Sequence, residues 1–301
     1  MLSIIIPCYN IENYITGCLE SLHRQTSQDF QLILVDDAST DDTIKRIQDY
    51  PYLKEFKAVE IVELSENSGV SNARNIGVSS ARGGYYVFVD GDDQLEDNAV
   101  ETINTFTTSN DNLDIVAFDA FLCGSNGAKS MINFGVASLE SQMQMTVRGY
   151  WSVVWRFAYR TDFMRVNNFM MDTSLSGGED YLFVCQVLSK AKSFGKIEKP
   201  LYDYATANEG SAMTRINLRG LNDQIDATNK VAELLNQDAT LKPYVVDLNY
   251  RNLYIKKLIF KTSLKIWRSW KPQSNAFAGG GQWRLKDRLV FKIISLLSKG
   301  L

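Results

Sequence analysis

Three aspartates stand at the end of an apolar run: in "YYVFVDGDDQL", residues 85–95, Asp90, Asp92 and Asp93 follow directly on five apolar residues. Two carboxylates about 5 Å apart repel by roughly 3 kcal/mol at an effective dielectric near 20. Such a cluster needs solvent, a counter-cation or a functional reason. Further polar groups stand at comparable places: Pro7, Tyr9 and Asn10; Asp36, Asp37 and Ser39; the stretch "SENSGVSNARN" with Asn67 and Arg74; and "SLSGGEDYLF" with Glu179 and Asp180. Turn and capping chemistry explains each group singly, and a helix dipole favours acids such as Glu179 and Asp180 at its start.

The elements that must carry these residues alternate. Strand candidates are Leu2–Ile6, Phe30–Val35, Ala58–Leu64, Tyr85–Val89 and Leu113–Phe118, mostly continuous β-branched and aromatic runs of the kind buried on both faces of a parallel sheet. Between them, residues 13–25 place Tyr14, Ile15, Cys18, Leu19 and Leu22 on one helical stripe, and residues 71–81 form a shorter helix stopping at Gly83-Gly84. This alternation predicts βαβ crossovers and an α/β sheet, in which ligands bind beyond the carboxyl ends of the strands. The first four strands each end in one of the polar groups, so all four fall at one edge. Beyond residue 118 the pattern loosens. "FLCGSNGAKSMINFG" reads as a hairpin or loop, "GYWSVVWRFAYR" is aromatic-rich, and residues 217–262 read as helices with Leu218, Leu221, Ile225, Val231 and Leu234 on one stripe.

With 301 residues, 45% of them apolar, the chain has ample material for one large or two modest domains. Four scattered cysteines without a CxxC pair and a single histidine, His23, argue against a disulfide framework or a zinc site and for a reducing, cytosolic setting. His23 reads as a packing or surface residue. Neither a signal peptide nor an 18-residue apolar span is expected. Charge is divided: residues 251–301 hold 12 Lys/Arg against Asp287 alone, and residues 1–250 hold 20 basic against 34 acidic residues. An acidic body with a basic appendage points to an anionic surface as partner.

The ordered set "SIIIPCYNIENYITGCLESLHRQT", "FQLILVDDASTDDT", "NSGVSNARNIG", "YYVFVDGDD" and "GGEDYLF" resembles the bacterial family 2 glycosyltransferases. The resemblance is strong over residues 2–118 and moderate over 150–204, through "VVWRFAYRTDF", "GGED" and "LYDY". It implies a GT-A (nucleotide-diphospho-sugar transferase) fold: a mixed, mostly parallel sheet flanked by helices, with a helical C-terminal extension. The implied division is a catalytic domain over 1–215, with a nucleotide-binding half over 1–118 and an acceptor-side half over 119–215, followed by a basic helical region over 216–301.

The implied activity is inverting transfer of a sugar from a nucleotide-diphosphate donor, a UDP-sugar, to a hydroxyl of a glycan or lipid-linked acceptor in bacterial surface polysaccharide synthesis. Pro7, Tyr9 and Asp37 match the positions that hold base and ribose. A carboxylate can accept a uracil N–H and an aromatic ring can stack on the base, while Asp36 reads as structural. Asn67 and Arg74 match positions facing uracil or diphosphate. Asp90 and Asp92 match the DxD motif, facing the ribose and a divalent ion, Mn²⁺ or Mg²⁺, with Asp93 holding the loop or capping the next helix. Asp180 matches the base that takes the acceptor proton, with Glu179 supporting it.

The tail segments 252–270 and 282–300 mix Lys/Arg with Leu, Ile, Phe and Trp at amphipathic spacing, the composition of a helix lying on an anionic membrane. A cytoplasmic protein, peripheral on the inner face of the cell membrane, is the expectation. Packing on the catalytic domain or formation of a homodimer are the alternatives for the tail, and no nucleic-acid module accompanies the charge. A nucleotidyltransferase would need a glycine-rich entry loop where "PCYN" stands. A non-catalytic, membrane-attached nucleotide-sugar-binding or scaffold partner would be expected to lose the acids of DxD or "ED", and both sets are intact.

Overall fold

The structure is a computed structural model that describes residues 1–110, 112–125, 127–206 and 218–262. The strands are β1 (Leu2–Cys8), β2 (Phe30–Asp36), β3 (Val59–Glu63), β4 (Tyr85–Phe88), β5 (Gln94–Leu95), β6 (Ile115–Cys123), β7 (Lys129–Ile132), β8 (Phe157–Arg160) and β9 (Phe194–Ala205). The helices are α1 (Ile15–His23), α2 (Thr43–Gln48), α3 (Val70–Ser80), α4 (Ala99–Ser109), α5 (Leu139–Val147), α6 (Thr161–Val166), α7 (Glu179–Lys190), α8 (Leu218–Gln237) and α9 (Leu248–Thr262). Two compact units divide the chain. The first holds Met1–Gln142, Val153–Ser174 and the described part of 190–211; the second holds Met143–Ser152, Leu175–Ser189 and the described part of 212–301.

In the first unit the described strands form one sheet in the order β3-β2-β1-β4-β8-β6-β9-β5, with β7 paired to β6. β1 is parallel to both β2 and β4, and β2 is parallel to β3, so the carboxyl ends of these four strands share one edge. That is the arrangement the alternating pattern predicts. The sheet turns mixed at β8, which runs antiparallel to β4 and β6. β1 and β2 are buried almost throughout, consistent with their unbroken apolar runs. β3 departs from that expectation: it lies at the edge of the sheet and is only partly buried, which suits Glu60 and Glu63 in its sequence. The β6–β7 hairpin occupies the stretch read as a hairpin or loop.

In the second unit α8 buries Leu221, Ile225, Thr228, Val231, Ala232 and Leu235. Leu218, expected on this stripe, is 53% exposed, and Leu235 rather than Leu234 completes the buried face, a one-residue rotation of the helix. α9 includes the first residues of the basic segment 252–270, and there Asn252, Leu253 and Ile255 are buried. Residues 263–301, with the second tail segment, lie outside the described residues. Among the described residues no helix is long and apolar enough to cross a membrane.

Candidate active site

Parallel strands leave their connecting loops side by side, and hydrogen bonds here join them into one wall. The loop after β1 is tied to the loop after β2. The Asn10 amide donates to Ser39 Oγ at 3.0 Å, the Ile11 amide to Thr43 Oγ1 at 2.8 Å, and the Thr40 amide to Asn10 Oδ1 at 2.8 Å. Asn10 and Ala38 sit in the left-handed region, with φ of 51° and 58°. For a non-glycine residue such a backbone costs about 1 kcal/mol or more, so the surrounding bonds must hold it. Pro7 is half-buried near the end of β1 and Tyr9 is 46% exposed beside it.

The next junction belongs to the acidic pair. Asp36 is buried and accepts from the Ser39 amide at 2.9 Å and from its hydroxyl. Asp37, also buried, accepts from the Ser68 amide at 2.7 Å through Oδ1 and from the Gly69 amide at 2.8 Å through Oδ2. Asn67 Nδ2 donates to the Asp37 carbonyl at 3.3 Å. Asp36 serves the structural role expected of it, and Asp37, expected to read a base, braces the turn that opens α3. Each carboxylate oxygen has two lone pairs, so this bracing is compatible with a ligand donor.

Arg74 on α3 makes the third junction. It is 4% exposed, its Nη2 donates to Asp90 Oδ1 at 2.7 Å, and its guanidinium lies 5.7 Å from the Phe88 ring centre. The three aspartates then separate by environment. Asp90 is braced by Arg74, and its backbone amide donates to Tyr202 Oη at 3.1 Å. Asp92 is half-exposed. Asp93 is 2% exposed and points inward, accepting from Tyr202 Oη at 2.7 Å and from the Ala205 amide at 2.7 Å. Burial, reinforced by Asp90 and Asp92, pushes its carboxyl up to about 9, against the lowering effect of those two hydrogen bonds.

The chemistry of these donors fits a hard divalent ion of the Mg²⁺ or Mn²⁺ type, which takes one or two carboxylates and completes its shell with water and substrate phosphates. Asp90 and the half-exposed Asp92 carry oxygens of that type, whereas Asp93 is buried against Tyr202 and the Ala205 amide. Among the described residues no cluster of three or more His, Cys, Asp or Glu side chains forms an all-protein metal cage.

Pro7, Tyr9, Asp37, Asn67, Arg74, Asp90 and Asp92 all belong to the first unit. Glu179 and Asp180 belong to the second, where both are half-buried in the first turn of α7. Gly178 precedes them with φ +82°, a conformation side chains rarely adopt, and its missing Cβ would meet Ala227 Cβ at 3.0 Å and Gln224 Oε1 at 3.2 Å. The turn is further held by the Ser176 amide and hydroxyl, which donate to Asp223 Oδ2 at 3.0 and 2.6 Å.

Sequence reasoning missed Tyr202 and Trp155. Tyr202 is fully buried and joins Asp90 to Asp93, and the Trp155 ring stacks on it at 4.3 Å with an interplanar angle of 11°. The alternation in "LYDY" puts Tyr202 and Tyr204 on one face of β9, but nothing local ties that face to a loop more than 100 residues earlier. His23, read as a packing or surface residue, stacks on Tyr52 at 4.3 Å and lies 3.0 Å from Glu55.

Known proteins resemble this chain in sequence and in fold. The family profile described as glycosyl transferase family 2 matches residues 3–173. The chain is 32% identical over 213 residues to the teichoic acid poly(glycerol phosphate) polymerase of Staphylococcus epidermidis, covering 65% of this chain and 27% of that protein. It is 31% identical over 214 residues to the uncharacterized glycosyltransferase EpsJ of Bacillus subtilis, covering 68% of this chain and 60% of that protein. The chain therefore spans from about a quarter to under two thirds of the length of these relatives. Among solved structures, residues 1–349 of S. aureus TarS in complex with UDP superpose with a TM-score of 0.71 at 23% identity, covering 89% of this chain and 77% of that one. The likeness carries the GT-A fold expected from the sequence.

Proposed function

The chain belongs to glycosyl transferase family 2, and we propose on that premise that it is an inverting glycosyltransferase moving a sugar from a UDP-sugar to a hydroxyl of a glycan or lipid-linked acceptor in bacterial surface polysaccharide synthesis. The observation that carries this reading is the continuous wall of loops at the carboxyl ends of β1 to β4, joined through Asn10, Asp37 and the Arg74–Asp90 pair. A nucleoside diphosphate has an aromatic base, a polar ribose and an anionic tail, and the wall offers groups suited to each. Exposed Tyr9, beside Pro7, is suited to stack on the base, and Asp37 to accept its N–H. Asn67 lies at the same turn. Arg74 supplies positive charge beside the acids. Asp92 and Asp90 would hold a divalent ion, which when bound would stabilise charge on the departing diphosphate.

In the proposed reaction the acceptor hydroxyl oxygen attacks the anomeric carbon while the bond from that carbon to the diphosphate breaks and its electron pair leaves with UDP. The Asp180 carboxylate takes the hydroxyl proton, and Glu179 supports or orients the acceptor. The membrane contact of the tail and the position on the inner face of the membrane belong to the same proposal, supported by the basic composition of residues 251–301, and the domain division at residue 215 is proposed with them.

Turnover of a panel of UDP-sugars, with UDP affinity measured in parallel, tests the reading. Asp180→Asn is expected to lower transfer by about 10²–10⁴-fold, the contribution of a positioned general base, while UDP affinity stays near wild type. A wild-type protein that neither binds UDP nor turns over any of the donors would overturn it.

A further inference from the structure

Arg251, on α9, is a cation in an unusual position. It is 5% exposed, and its hydrogen-bond acceptors among the described residues are neutral side chains. Burying a guanidinium without a counter-ion is costly, so the surrounding geometry must satisfy its donors in another way. Nε donates to Thr228 Oγ1 at 3.3 Å and Nη2 to Gln224 Oε1, two side chains four residues apart on the same face of α8. The guanidinium lies 4.2 Å from the Tyr181 ring centre and 5.4 Å from that of Tyr254. Its stem fills the space beside Gly149, where a Cβ would come within 2.8 Å of Arg251 Cδ.

These contacts converge on the start of α7. Tyr181 follows Asp180 directly, is 2% exposed, and its hydroxyl donates to the Val147 carbonyl at 3.2 Å. Gln224 is the same residue that abuts the glycine turn, its Oε1 3.2 Å from where a Gly178 Cβ would stand. One planar fork therefore reaches both sides of the Glu179–Asp180 pair: Gln224, which abuts the glycine turn before it, and the aromatic ring after it. A lysine could not do this, because a point charge on a flexible stem has no fixed plane to stack on a ring while donating sideways.

We propose that Arg251 is a positioning residue for the acceptor-side carboxylates, setting from the C-terminal helix α9 where Glu179 and Asp180 stand. The proposal rests on the reading of Asp180 as the base. It gives the start of the basic C-terminal region a part in building the acceptor side, in addition to any attachment carried out further along the chain.

Arg251→Met tests it, since an unbranched apolar side chain of similar length refills the site and removes the buried charge, leaving only the neutral acceptors Gln224 Oε1 and Thr228 Oγ1 without that donor. The expected result is a kcat lower by about 10- to 100-fold, the cost of a base displaced by a fraction of an ångström to an ångström, with UDP affinity and binding stoichiometry within twofold of wild type. Amide hydrogen exchange over residues 177–183 is expected to accelerate. A double-mutant cycle with Gln224→Leu is expected to be non-additive in kcat. Wild-type kcat and wild-type exchange in Arg251→Met would overturn the proposal, as would a loss of UDP affinity, kcat and Tm together. Should Arg251→Met not fold, Gln224→Leu alone must show the same split between kcat and UDP affinity, and wild-type kcat in that variant overturns the proposal. A wild-type protein without transfer would instead condemn the assignment of the reaction, and the exchange measurement would still decide whether Arg251 holds the turn.

Discussion

Replacing Tyr202 by phenylalanine isolates one oxygen atom. The ring keeps its stack on Trp155, so apolar burial is preserved, but the Asp90 amide loses its 3.1 Å acceptor and Asp93 loses its 2.7 Å donor. A neutral hydrogen bond contributes about 0.5–1.5 kcal/mol net, and both bonds are of that kind because the Asp93 carboxyl is pushed up to about 9. Together they predict a loss of about 1–3 kcal/mol in Tyr202→Phe. At about 2–4 °C per kcal/mol for a chain of this class, Tm should fall by about 2–12 °C. Because the two bonds fix the loop that carries Asp90 and Asp92, UDP affinity measured by calorimetry should weaken as well. A stability loss below about 0.5 kcal/mol would mean that water replaces both bonds. The hydroxyl would then be no strut, and the view of Tyr202 as the support of the acidic loop would be wrong. A full stability loss with unchanged UDP affinity would separate the loop from the donor site.

Two further outcomes can be measured. Asp93 is held up to about 9 in the folded chain against an ordinary value of 3.8, so its favourable contribution is complete below the unfolded value and is lost as pH rises toward the folded one. Thermal unfolding in the presence of a chelator should therefore show Tm declining from pH 5 to pH 8.5, and Asp93→Asn, which mimics the neutral form, should flatten that decline; an unchanged slope would refute the assignment. Deleting residues 264–301 should release the protein from anionic vesicles, given an attraction of about 1 kcal/mol for each Lys or Arg near such a surface, and vesicle binding equal to that of the full chain would rule out the tail as the membrane contact.

Much of the framework was legible before any coordinate, and for local reasons. Unbroken apolar runs such as Leu2–Ile6 and Phe30–Val35 became β1 and β2, and the polar residues following β1 to β4 came to one edge because those strands are parallel. Strand period, turn residues and the order of motifs are properties of neighbouring residues, so they survive being read along a line. The same holds for the helix start at Glu179, announced by Gly177-Gly178 and confirmed as the first residue of α7. The boundaries drifted where local signal fades, as at β6, which runs on to Cys123, and at α8, whose buried face is rotated from Leu234 to Leu235.

The roles of the individual acids belong to the tertiary structure. Asp90, Asp92 and Asp93 are almost interchangeable as letters, yet Asp90 faces Arg74, Asp92 remains half-exposed, and Asp93 is drawn inward by Tyr202 and Ala205. Those last partners lie 109 and 112 residues away along the chain. In the same way Asp37 finds its partners in the turn before α3, and the first residues of a segment composed like a membrane helix are buried at the start of α9. Composition determined that the carboxylates would gather at the ends of the strands. Which of them is buried, braced or half-exposed depends on the donors that packing brings within hydrogen-bond distance, and those donors come from strands and helices that only the folded sheet makes neighbours.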